Sequence, residues 1–174
     1  MSNAQKIARG GLYTALTVLI VYFSNILPTS KLSLLTLASA IIPFSILTTG
    51  VKNSAIVYAA SAVLAFLIGA KGMALSYAVF FGLYGFVKYY VESLRKTLYE
   101  IPLKLVYFNL SIFIIYKLYS ALFTAEMTSK LPVYAIIAAA EVGFVIYDYA
   151  LTEIIAYIDN KFIKKKKTKG KEKS

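Results

Sequence analysis

Cysteine, histidine and tryptophan are all absent from this 174-residue sequence. Without cysteine there is no disulfide, no thiol nucleophile and no acylation site. Without histidine the side chain that switches charge near neutrality is missing. Zinc and copper lose a preferred ligand, and Ser-His-Asp or Cys-His catalysis is excluded. Acidic residues are also few, eight against nineteen Lys and Arg. No glycine-rich loop cradles a phosphate. The expectation is a protein with no metal, no cofactor and no enzymatic reaction.

Apolar residues are plentiful, at 59% hydrophobic against 16% charged. Soluble domains run near ~45–50% and ~25%, and a chain of this length has too little interior to hide the excess. Lipid is therefore the expected solvent. The net charge of +11 is uneven: residues 161–174 carry eight Lys and one Glu, and the rest of the chain supplies only +4. That tail reads as a disordered segment beyond a 1–160 membrane domain. Near anionic lipid each basic residue contributes ~1 kcal/mol. Because the basic surface lies outside the folded domain, nucleic acid is not an expected partner.

A helical span needs ~20 apolar residues, and six such stretches are legible. They run over residues 11–27, 32–49, 51–70, 73–91, 102–123 and 132–158, the first closed by Pro28 and the second interrupted by Pro43. None alternates in the manner of a barrel strand, and continuous apolar runs satisfy their amides in lipid only as helices. The expected fold is all-α, a polytopic membrane protein built as a bundle of six transmembrane helices. Lys6 and Arg9 ahead of the first span resemble a signal sequence, but no small-x-small site follows, so a retained anchor is expected. Six spans put both termini on one side. That side collects fifteen Lys and Arg against four on the other, which makes it cytoplasmic in a cell membrane.

Charges within spans cost about 2.5–3.5 kcal/mol on insertion scales. Glu141 and Asp148 share a face of the sixth span, and Lys104, Asn109 and Lys117 lie along the fifth. Antiparallel packing sets Lys117 level with Glu141, and Lys104 near Asp148 or Glu153. These groups either neutralise each other or, with Asn25, line a polar pocket. Tyr77 and Tyr84, seven apart on the fourth span, suit either a flat ligand or packing against other aromatics. Lys88, Glu92, Lys96, Glu100 and Lys104 alternate in sign at i, i+4 spacing. They imply a helix continuing into the cytoplasm as a solvated connector until Pro102 opens the next span. Small residues recur at Gly11 and Ala15, at Ala78 and Gly82, and at Ala135, Ala139 and Gly143. Such spacing lets helix backbones approach closely. The triple stripe points to packing within the chain, and Gly11 with Ala15 suits a partner subunit.

Ile7-Ala-Arg-Gly-Gly-Leu-Tyr-Thr-Ala-Leu16 opens the first span, followed by the Pro28 turn, the Gly50-Val-Lys-Asn turn and Phe81-Gly-Leu-Tyr-Gly85. This arrangement resembles the substrate-binding S components of energy-coupling factor (ECF) vitamin transporters. The resemblance implies a small-metabolite binding subunit that captures ligand outside, working with a transmembrane coupling protein and ATPase subunits. Small residues of the first helix contact the coupling protein in that family, which implicates Gly11 and Ala15. Its ligand lies in the extracellular half, which by depth implicates Asn25, Lys117 and Glu141. A structural scaffold, such as a rod-shape-determining membrane protein of the MreD type, is the alternative.

Overall fold

A computed structural model describes residues 2–27, 29–94, 97–123 and 133–158. The chain divides into two compact units, residues 1–132 and 133–174. All secondary structure among the described residues is helical. Three helices are long and apolar enough to cross a membrane, Asn3–Ile26, Lys31–Thr49 and Tyr99–Ala121. They mark the chain as a helical membrane protein.

In the first unit, α1 spans Asn3–Ile26 and opens on a capping box. The Ser2 hydroxyl accepts from the Gln5 amide, and the Ser2 amide donates to the Gln5 side chain, both at 3.3 Å. It stops before Leu27, whose extended backbone is what a following proline imposes. The helix α2 covers Lys31–Thr49 and α3 covers Val51–Leu67. One residue turns the chain between them: Gly50, at φ 92°, a conformation that a side chain disfavours. A second left-handed glycine, Gly69, follows α3. Next, α4 is assembled without a break from Lys71–Ser76, a π-helical turn Tyr77–Gly82, and Leu83–Ser93. Finally α5 runs over Thr97–Phe123. The second unit is α6, Val133–Ile158.

Within the first unit α1 packs on α2 and α3, α2 on α3 and α4, and α5 on α4. Tyr13, Ile41, Ile42, Ile46 and Val57 form the core, with Tyr58 and Phe86 against it. Hydroxyls inside the unit bond back to their own helices, Thr17 to the Tyr13 carbonyl at 2.8 Å and Ser24 to the Val21 carbonyl at 2.7 Å. This bonding removes the cost of a bare hydroxyl where water is absent.

Several expectations change. Pro43 does not interrupt the second span, because α2 runs through it. One backbone bond is forfeited there, and the proline is buried instead. Pro102 does not open a span, since α5 already starts at Thr97. Of six expected spans, three have the length and apolarity required among the described residues. At 17 residues α3 is only about 25 Å long, and α4 carries the π turn. Ala139 and Gly143 of the expected stripe lie on α6, in the second unit. The Ala135 side chain, Lys96 and the Lys-rich tail 161–174 lie outside the described residues.

Candidate functional site

The π turn of α4 organises the most elaborate polar cluster among the described residues. Widening a helix to i, i+5 bonding shifts carbonyls off their usual amide partners; that of Phe80 accepts from the Leu83 amide, and carbonyls in an apolar interior draw further donors. Tyrosines on two other helices supply them. The Tyr58 hydroxyl of α3 donates to the Ala78 carbonyl at 2.7 Å. The Tyr107 hydroxyl of α5 lies 2.9 Å from the Val79 carbonyl and 3.0 Å from that of Phe80. Tyr77, inside the turn, shares a 3.1 Å hydrogen bond with Ser61.

The rings pack as closely as the hydroxyls bond. Tyr107 stacks on Phe80 and Tyr84, with centroids 6.1 Å and 5.8 Å away. Phe80 also stacks on Tyr84 at 5.9 Å. Offset stacking at such distances adds to burial alone. Gly82 admits the Tyr58 ring, since a Cβ there would sit 2.8 Å from it. Gly85 likewise admits α2, where a Cβ would come 2.8 Å from Pro43 and 2.9 Å from Ile42.

A charge cluster lies beyond this aromatic layer. Lys88 and Lys104 are buried, and both reach Glu92, at 2.5 Å and 3.1 Å. Lys104 also binds Glu100 at 2.7 Å. The Glu92 and Glu100 side chains keep 38% and 27% of their surface, so water reaches the cluster through its carboxylates. The alternating ladder therefore has buried ends, Lys88 and Lys104, in place of a fully solvated connector. It folds into a joint between α4 and α5, because a buried ammonium is tolerable only when paired.

Hydroxyls gather at the α2–α3 turn as well. Ser54 donates to Ser45 at 2.8 Å, and Tyr13 bonds Thr48 at 3.0 Å. Beside them the Asn53 amide nitrogen is buried without a partner.

The structure treats the sequence candidates unequally. Tyr77 and Tyr84 are wholly buried among packed rings, Tyr77 against Tyr58 and Tyr84 against Phe80 and Tyr107. Asn25, Asn109 and Lys117 are exposed and lie outside that cluster. Asn109 donates to the Leu105 carbonyl of its own helix at 3.0 Å, and the Lys117 ammonium sits 5.7 Å from the Phe113 ring centre. Glu141 is half-buried on α6, in the second unit. Gly11 and Ala15 are exposed on α1, while the adjacent Gly10 is buried against Val57. No cluster of carboxylates able to hold a metal occurs among the described residues.

Sequence reasoning missed Tyr58 and Tyr107, which nothing in their local pattern separates from other lipid-exposed tyrosines. It found the spacing of Lys88 and Glu92 but not the burial of Lys88. No protein-family model, curated protein or solved structure matches the chain.

Proposed function

We propose that this chain is the metabolite-binding membrane subunit of an energy-coupling factor type uptake transporter. In this role all six helices cross the cell membrane, both termini are cytoplasmic, and a small vitamin-like ligand is captured from outside. A coupling protein and ATPase subunits complete the machine.

The observation that carries the proposal is the open face of α1. Tyr13, Thr17, Val21 and Ser24 turn inward and are buried, whereas Gly11 and Ala15 are exposed. A Cβ on Gly11 would meet nothing within 4 Å. A face of small residues open to lipid gives another helix room to approach its backbone, and the ECF resemblance puts the coupling protein there.

The test is purification of the chain from its native membrane, with mass spectrometry of what accompanies it. A coupling protein, an ATPase and one metabolite are expected. Gly11→Trp with Ala15→Trp is expected to shed the proteins and retain the metabolite. Recovery of neither proteins nor metabolite from the unmodified chain overturns the proposal.

One observation favours a second role. The rings of Tyr77 and Tyr84 are sealed among Phe80, Tyr58 and Tyr107, which suits a scaffold of the MreD kind that acts by protein contacts alone. In that role the preparation yields partner proteins without an ATPase and without a metabolite.

A further inference from the structure

The π turn Tyr77–Gly82 has its Ala78, Val79 and Phe80 carbonyls held by hydroxyls from outside the helix, and hydroxyl bonds can be exchanged while backbone connectivity cannot. We infer that α4 is a two-state element: the Tyr58 and Tyr107 hydroxyls latch the π turn, and its release lets the distal half, Leu83–Ser93, advance by one residue into α-helical register. The inference does not depend on whether the chain carries a metabolite or serves as a scaffold.

A π turn holds one residue more than an α-helix needs over the same rise. Absorbing it turns the distal half by about 100° and shifts it by about 1.5 Å. Three features place the consequences. Tyr84 and Lys88 occupy the buried face of that half, so the turn carries both away from the core. Gly85, lodged against Pro43 and Ile42, leaves its close contact with α2. The Lys88–Glu92–Lys104 joint supplies the opposing restraint, because Lys104 on α5 holds Glu92 of the distal half. The proximal half is held separately, by its packing on α3 and α1, and stays in place. Motion of one half without the other is the signature of the device.

The chain has no cysteine, so introduced cysteines are unique attachment points for spin labels in the full-length protein reconstituted in lipid nanodiscs. Leu16→Cys with Tyr90→Cys reports on the distal half, and Leu16→Cys with Lys71→Cys on the proximal half. Tyr58→Phe with Tyr107→Phe removes the latch and keeps the rings. The expected result is a new distance population in the distal pair, displaced by up to about 8 Å for a side chain on a cylinder of helical radius, with the proximal pair unchanged. Deleting Val79 removes the surplus residue and leaves nothing to advance. In that background the distal pair is expected to keep its original distance with or without the two hydroxyls. Tyr107→Phe alone, which spares the Tyr58 bond, provides the same readout should the double variant fail to fold. An unchanged distal distance after hydroxyl removal overturns the inference. So does a shift of both pairs together, which is general loosening.

Discussion

Gly85 and Gly11 both lie in helices, yet a methyl group should affect them oppositely. At Gly85 it is forced against Pro43 and Ile42, and overpacking of this kind costs about 1–3 kcal/mol. At Gly11 it meets nothing, and alanine is the better helix former. Gly85→Ala is therefore expected to lower the melting temperature in detergent, and Gly11→Ala to leave it unchanged or raise it slightly. Glu92 and Glu100 separate in the same way. Glu92 serves two buried ammonium groups and Glu100 serves one. Removing a partner from a buried pair costs about 3–5 kcal/mol, and the partial exposure of these carboxylates lowers that figure. Glu92→Gln is expected to destabilise more than Glu100→Gln by the same melting assay. Opposite outcomes would mean that Lys88 and Lys104 depend on other groups. The i, i+4 spacing of these charges was legible in the sequence. Their burial was not, because it depends on α5 returning beside α4.

At the scale of elements, local chemistry marks the boundaries well. The capping pair Ser2 and Gln5, the proline after Leu27 and the glycine at position 50 each state where a helix starts or stops, and α1 to α3 follow them. The π turn is invisible to such signals. Its acceptors are satisfied from positions 20 to 28 residues away, and no local window contains both sides of those bonds. Prolines misled for a related reason. In water Pro43 would break a helix, but inside the unit the strand of backbone has no solvent to turn toward. Tyr107→Phe tests the turn as an element. It strips the Val79 and Phe80 carbonyls of a donor, and interhelical bonds of this type in membranes contribute ~0.6 kcal/mol on average and ~1.7 at most. The expected outcome is faster amide exchange in α4 from residue 77 to 93 and in α2 where Gly85 meets Ile42 and Pro43, with α1 unaffected. Exchange that rises evenly along the chain would show that Tyr107 supports the unit rather than the turn.

For the whole molecule, the number of crossings is what composition and structure estimate differently. Composition and charge asymmetry call for six. Among the described residues, helix length and apolarity support three, Asn3–Ile26, Lys31–Thr49 and Tyr99–Ala121. The difference turns first on α3. Its 17 residues reach about 25 Å across a hydrocarbon layer of ~30 Å, a mismatch that local thinning or snorkelling at the ends absorbs at modest cost. Lys52 and Lys71 flank it and suit such snorkelling, both being exposed. Single cysteines in the cysteine-free chain decide the matter. With all six helices crossing and termini inside, an impermeant maleimide is expected to label Ser30→Cys and Lys71→Cys on intact cells. Asn3→Cys and Lys52→Cys are then labelled only in inverted vesicles. If α3 lies along the surface instead, Lys71→Cys joins Lys52→Cys and is protected on intact cells. That result would leave α1 and α2 as a simple hairpin. It would also undo the count of fifteen basic residues against four, because Lys71 would change sides and every helix after it would need its orientation assigned afresh.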